Sequence, residues 1–289
     1  MFVPVKGPYS VMQPTTSHPD TALPKISVIT AVRNGEPFIG QTLDSVLGQR
    51  YDRVEYIVID GKSTDGTVET IRSREAGLAM WVSEKDRGIA DAFNKGVSLS
   101  TGDYILILNA DDALAGPEVL TAVAWQIAEN HYPVLFYGDC DVLDRNSGCI
   151  LYRASIEFSH RGLVRGLMLP HPSLFAHRLY FEKYGAFDPD FRIAMDYEWL
   201  LRGGFVERVV HVPFLVTNVR NGGMSTLDKQ RVVDEILSAL KKNGHLRSKW
   251  AEFELRGYFL TRSLARTVLN GMGLYTIFND LRKKRPGRN

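Results

Sequence analysis

Two adjacent carboxylates, Asp111 and Asp112, close the stretch TGDYILILNADD that begins at Thr101. With no basic residue beside them in sequence, they repel each other unless a cation or a ligand's donors join them. A second reading makes Asp111 the cap of the helix that Pro117 and Glu118 open. A cap needs one carboxylate, however, and here there are two. Three other polar groups recur in the same relation to an apolar run: Thr30, Arg33 and Asn34; Asp60, Ser63 and Asp65; Glu84, Asp86 and Arg87. Each follows a short apolar run. Any one of these groups is compatible with turn chemistry, as in Asp60-Gly61 and Asp65-Gly66. Four in register at strand ends make a binding crevice.

The elements that must position these groups are legible. ISVITAV from Ile26, VEYIVID ending at Asp60, Trp81-Val82 and Tyr104 to Leu108 read as strands, the first and the last of them buried. Between them, FIGQTLDSVLGQ, VETIRSREA and IADAFNKGVSLS have helical spacing, the second capped by Thr64 or Asp65. Alternating strands and helices predict an α/β fold with a mostly parallel, twisted sheet covered on both faces. Right-handed crossovers then bring all four carboxyl ends to one edge. The third helix adds Asp91, Asn94 and Lys95, with a plain solvated face as the competing reading for Asp91. Beyond Asp112, PVLFYGDCDVLD reads as a strand with ILYRASI as its pairing partner.

Composition sets the outer limits. The chain has 289 residues, 44% hydrophobic and 24% charged, enough for one large domain with appendages. Its two cysteines, Cys140 and Cys149, have no metal-ligand or disulfide-framework spacing, which predicts a cytoplasmic protein. No apolar run reaches the ~20 residues of a membrane span, and MFVPVKGPYS lacks the layout of a signal peptide. Residues 1–24 carry five prolines and read as an extended arm. From Lys241 onward, twelve Lys and Arg against three acids give +9, so the first 240 residues carry −7 within a net +2. The tail mixes these cations with Trp250, Phe253, Tyr258, Phe259 and Leu260 and ends in Arg-Lys-Lys-Arg-Pro-Gly-Arg-Asn. It fits either an anionic membrane surface, on the inner face of the membrane, or helices packed on the domain.

The ordered set ISVITAVRNGEPFIGQTLDSVLGQ, VEYIVIDGKSTDGT, VSEKDRGIADAFNKG and TGDYILILNADD resembles the nucleotide-sugar-binding half of glycosyltransferase family 2, which has the GT-A fold. The resemblance covers roughly residues 25–225. It implies a GT-A domain over 25–240, split into a nucleotide-sugar half (25–115) and an acceptor half (116–240), with a basic helical extension over 241–289. It also implies that Thr30, Val32, Asn34 and Asp60 border the nucleotide, and that Asp86, Asn94 and Lys95 lie along the sugar nucleotide. Asp111 is then expected at the ribose or the metal, and Asp112 at a divalent cation, Mn²⁺ or Mg²⁺, on the diphosphate. Two departures stand out: Gly61 replaces the usual second Asp of its loop, and Asn109 opens the metal triplet.

In the acceptor half, AMDYEWLLR resembles the family segment that holds the general base, which falls on Asp196. Its competing reading is a helix N-cap. Glu198 and His171, the latter between two prolines, are weaker acceptor-site candidates, and His171 is equally readable as a loop histidine. Arg220-Asn221-Gly222-Gly223-Met224-Ser225 resembles a loop closing over the donor. The expected activity is an inverting, metal-dependent transfer from a nucleotide sugar, with UDP the expected nucleotide. The acceptor is a glycan or a lipid-linked saccharide of cell-surface polysaccharide synthesis, and no nucleic acid is involved. The alternatives are a non-catalytic nucleotide-sugar-binding module and a nucleotidyltransferase. The latter needs a glycine-rich basic phosphate loop after the first strand, for which Arg33-Asn34-Gly35 is too thin.

Overall fold

A computed structural model describes residues 23–223 and 228–271. The first strands are β1 (Ile26–Val32), β2 (Val54–Asp60), β3 (Met80–Ser83) and β4 (Tyr104–Ile107). They alternate with helices α1 (Glu36–Leu47), α2 (Thr67–Arg72) and α3 (Ile89–Leu99). Every residue of β1 and of β4 is buried, as an apolar run between two helical layers requires. All pairings among these four strands are parallel, in the order β3-β2-β1-β4. Their register aligns Val32 with Asp60 and Asp60 with Ser83, so three carboxyl ends share one row. The chain steps outward from β1 to β3 and returns to β4 on the far side of β1. The gap between the ends of β1 and β4 is therefore the switch point where ligands bind in such sheets.

The second half is not parallel throughout. It contains β5 (Ala113–Leu114), α4 (Val119–Glu129), β6 (Leu135–Leu143), β7 (Ile150–Ala154), α5 (His160–Leu163), β8 (Leu174–His177), α6 (Arg178–Tyr184), α7 (Met195–Gly203) and β9 (Val209–Arg220). β8 runs antiparallel to both β4 and β6, β9 is parallel to β6, and β5 is antiparallel to β9. β7 pairs with β6 as its sequence suggests. The fold is thus α/β with a sheet that is parallel at one end and mixed at the other.

Two cores sandwich this sheet. One lies under α1 and α4 and takes Ile26, Val28 and Val32 from β1. The other lies under α3, α6 and α7 and takes Ile29 and Ala31. Helix α8 (Lys229–Lys242) belongs to this second core, burying Ile236, Leu237, Ala239 and Leu240. A domain boundary at 240 therefore cuts the last turn of an integral helix. Helix α9 (Lys249–Gly271) packs Ala251, Leu255 and Phe259 on the same core and leaves Trp250, Phe253, Leu260 and Leu264 exposed. Residues 1–22 of the expected arm, and the basic run Arg282 to Arg285, lie outside the described residues.

Candidate active site

The loop after β4 treats its two carboxylates differently. Asp112 is 2% exposed: Asn109 donates to its Oδ2 at 2.8 Å and the Arg220 backbone N–H to its Oδ1 at 2.9 Å. Burial, with the Asp111 charge beside it, pushes its carboxyl up to about 7. Asp111 is more open. It accepts from Arg145 Nη1 at 2.8 Å through Oδ2, and among the described residues no hydrogen bond reaches its Oδ1. Asp111 does not cap α4, whose N-cap is Glu118. Arg145 and Arg220 lie against the Phe38 ring, 4.5 and 4.9 Å from its centroid. A cavity of ≈ 330 Å³ opens beside them, lined by Gln41, Asp44, Asp111, Asp112, Asn218 and Arg220 among others.

The groups at the other strand ends mostly bind one another. Asp60, fully buried, accepts from the Ser63 N–H, from Ser63 Oγ at 2.5 Å and from Ser83 Oγ at 2.5 Å, tying β2 to β3. Asn34, at φ 53°, accepts from the Thr64 N–H while its own N–H donates to Ser63 Oγ. Asp65 accepts from the N–H groups of both Thr67 and Glu36, so it serves the first turns of α2 and α1 together. Thr30 shares the parity of Val28 and Val32, is fully buried and bonds Tyr56 Oη at 3.1 Å, so its side chain lies beneath α1 and outside the crevice. Val32 is likewise buried in that layer.

Asn94 does not present its amide to the crevice either. Its amide bonds the backbone of Phe187 in both directions, at 2.7 and 2.9 Å, joining α3 to the acceptor half. Lys95 pairs with Glu84 at 2.8 Å and Asp91 at 3.6 Å. Asp86 accepts from the Gly88 N–H, and its Oδ2 would lie 2.3 Å from a Cβ added at Gly61. Asp86 therefore occupies the space that a side chain at 61 would need.

On the other side of the sheet, Asp196 stands in the first turn of α7, two residues after an Ala194 N-cap, so it is not the cap itself. It shares a small recess of ≈ 10 Å³, about the size of one water, with His171, Met168, Leu169, Leu174 and Leu200. Burial raises the proton affinity of Asp196, opposed by the charge of His171 and by the Tyr197 N–H. Burial lowers that of His171, opposed by Asp196. The two sequence candidates thus face each other across an apolar-walled pocket.

Glu198 is a different case, and the acceptor-site expectation for it is corrected. It is 0% exposed, and its carboxylate is held by Arg202, by Lys242 at 3.0 Å and by Asn243 at 3.2 Å. Those bonds outweigh burial and hold its carboxyl below the ordinary range. A carboxylate saturated by two cations inside the core has no face for an acceptor.

Comparison with known proteins decides the family. The family model described as Glycosyl transferase family 2 matches residues 27–157. An uncharacterized glycosyltransferase of Mycobacterium tuberculosis is 32% identical over 257 residues, 88% of this chain and 94% of the relative. The chain belongs to glycosyltransferase family 2. A PGL/p-HBAD biosynthesis glycosyltransferase of Mycobacterium bovis is 30% identical over 72% of this chain and 83% of its own. Among solved structures, S. aureus TarS in complex with UDP-GlcNAc superposes with a TM-score of 0.60 at 17% identity, covering 84% of this chain and 74% of that one. The mannosyltransferase PcManGT from Pyrobaculum calidifontis, in complex with GDP-Man and Mn²⁺, gives 0.57 at 22% identity, covering 96% and 86%. These likenesses establish the GT-A fold.

Within this glycosyltransferase, no group of three or more His, Cys, Asp or Glu among the described residues is placed to hold a metal ion. One outward carboxylate, Asp111, would suit a hard cation whose remaining ligands would come from a diphosphate and water. Asp112 fits less well, because both its oxygens already hold the loop and β9. Sequence reading missed Arg145 and Phe38 beside Asp111, and Glu235, whose carboxylate accepts from the backbone N–H groups of Ile193 and Ala194 just ahead of α7. Arg145 sits in an ordinary turn sequence, and Glu235 lies on a helix outside the motif set, so neither carries a local signal.

Proposed function

We propose that the chain is an inverting transferase that moves a sugar from a nucleoside diphosphate, UDP by preference, to a hydroxyl of a glycan or lipid-linked acceptor. The observation that carries this reading is Asp196. It is a carboxylate of raised proton affinity in an apolar recess at the start of α7, on the face of the sheet opposite α1. An acceptor hydroxyl is a poor nucleophile at neutral pH and needs such a base within hydrogen-bond reach. Asp196 takes its proton as the oxygen attacks the anomeric carbon from the side opposite the diphosphate. His171, whose proton affinity burial lowers against the pull of the Asp196 charge, borders the same recess. Asp111 would hold a Mn²⁺ or Mg²⁺ ion, which when bound offsets the charge developing on the diphosphate. Asp112 holds the loop that carries Asp111, and Arg145 supplies a further cation next to it.

Release of nucleoside diphosphate from a panel of nucleotide sugars, with and without Mn²⁺, tests the donor class and the metal together. The anomeric configuration of the product tests inversion. Retention of configuration, or turnover unaffected by chelation, would count against the reading.

The acceptor side is supported by α9. No described helix is long and apolar enough to cross a membrane. Trp250 and Phe253, 69% and 68% exposed, nonetheless project from the face of α9 opposite its packed residues, and the basic run from Arg282 follows in sequence. Such a face suits an anionic lipid surface, where a lipid-linked acceptor is met. Flotation with anionic vesicles, comparing the full chain with a Trp250→Ser/Phe253→Ser variant, measures it; equal and salt-insensitive flotation refutes it.

A further inference from the structure

Helix α7 carries the acceptor base but lacks an N-cap of its own. Ala194 occupies that position and offers no side-chain acceptor. The backbone donors that lead into the helix are satisfied from elsewhere in the chain. Glu235 of α8 accepts from the N–H groups of Arg192 at 3.1 Å, Ile193 at 2.8 Å and Ala194 at 2.8 Å. Arg231, one turn earlier on α8, steadies it through Nε at 3.0 Å. A carboxylate here complements both the unsatisfied donors and the positive end of the helix dipole. Farther along, Lys242 and Asn243 hold Glu198 of α7, so α8 grips the base-bearing helix at two points.

We propose that Glu235 is a positioning residue for the acceptor base: delivered by α8, it fixes the 192–194 turn and sets both the place and the electrostatic surroundings of Asp196. The inference rests on the reading of Asp196 as that base. Besides burial, four influences act on the Asp196 charge: His171 from the turn before β8 and the Tyr197 and Asp196 N–H groups stabilise it, and Glu235 from α8 opposes it. A base of higher proton affinity is the stronger one. Glu235 therefore has two separable effects: it holds the turn by hydrogen bonds, and it strengthens the base by charge. Arg231 partly cancels the second.

The test reads Asp196 directly. In full-length protein labelled with ¹³C at Asp carboxyls, the Asp196 signal is assigned by its loss in Asp196→Asn and titrated in Glu235→Gln and Arg231→Gln. The expected result is a midpoint that falls in Glu235→Gln and rises in Arg231→Gln. Turnover of the donor identified by the nucleotide-sugar panel is measured alongside, and Glu235→Gln is expected to lose about tenfold or more in kcat with donor KM unchanged. Midpoints that stay put in both variants overturn the proposal. So does a Glu235→Gln enzyme that melts earlier yet keeps wild-type kcat while Asp196→Asn is inactive. An active Asp196→Asn enzyme defeats the base assignment instead, and the titrations still decide whether Glu235 acts on Asp196. Should Glu235→Gln not fold, Arg231→Gln, which leaves the carboxylate in place, carries the titration.

Discussion

Asp196 and Glu198 lie two residues apart on one helix, and the structure predicts opposite consequences for removing their charges. Asp196→Asn removes a carboxylate whose charged form the fold disfavours. An acid with a raised folded pKa loses stability as pH rises above its unfolded value, so at neutral pH the amide relieves that cost, and the melting temperature should hold or rise. Turnover should fall by about 10²–10⁴, the usual loss of a general base. Glu198→Gln does the reverse. It leaves the mostly buried Arg202 and the half-exposed Lys242 without their shared, buried counter-charge. Breaking a buried pair costs about 3–5 kcal/mol when the surviving partner is stranded. Here Arg202 keeps the Tyr184 and Ala186 carbonyls, and Lys242 keeps Asp188 at 2.5 Å. The cost should therefore be about 2–3 kcal/mol, the upper part of the range for hydrogen bonds to charged groups. At about 2–4 °C per kcal/mol in a chain of this size, the melting temperature drops by roughly 4–12 °C. Calorimetric melts and donor turnover below the transition measure both quantities. The reasoning is refuted if Glu198→Gln melts like wild type but matches Asp196→Asn in lost turnover, or if Asp196→Asn turns over normally.

Further outcomes follow from particular contacts. Glu55 is buried, and hydrogen bonds from Ser27, Thr101 and Lys25 outweigh that burial to hold its carboxyl at about 2. Its contribution, about 3 kcal/mol from a shift of that size, is complete above the unfolded value near 4.5 and lost as pH falls through about 2; acid unfolding of Glu55→Gln should lack that component. Gly61→Ala should cost about 1–3 kcal/mol by overpacking against Asp86, and a double variant with Asp86→Ala should melt no lower than Asp86→Ala alone. Arg145→Ala, which frees Asp111 of its cation, should lower the Mn²⁺ concentration needed to protect the protein against thermal unfolding; an unchanged requirement would show that the pair does not compete with the ion.

The sequence by itself determined the parallel half of the sheet, the family and the row of strand ends. Those features are local: short β-branched runs, helical spacing between them and turn residues after each strand leave few topologies once crossovers are right-handed. The choice of Asp196 as candidate base came from a related signal, since its segment AMDYEWLLR resembles the family pattern. Tertiary structure alone decided what each polar residue faces. Asp111 and Asp112 are adjacent and chemically identical, yet one opens outward while the other is sealed by Asn109 and by β9, more than a hundred residues away. Glu198 read as a second acid until Lys242 and Asn243 arrived from α8 to bury it. Asn94 turned from the crevice because a backbone segment 93 positions on satisfied both ends of its amide. Glu235 caps a helix it follows by some forty positions, and no pattern in a linear chain marks such a pairing. Propensity and periodicity are written within a dozen residues. The environment of a charge is written by whichever distant segments the packed core brings to it, and burial and opposing charges then fix whether it binds, reacts or only holds the fold together.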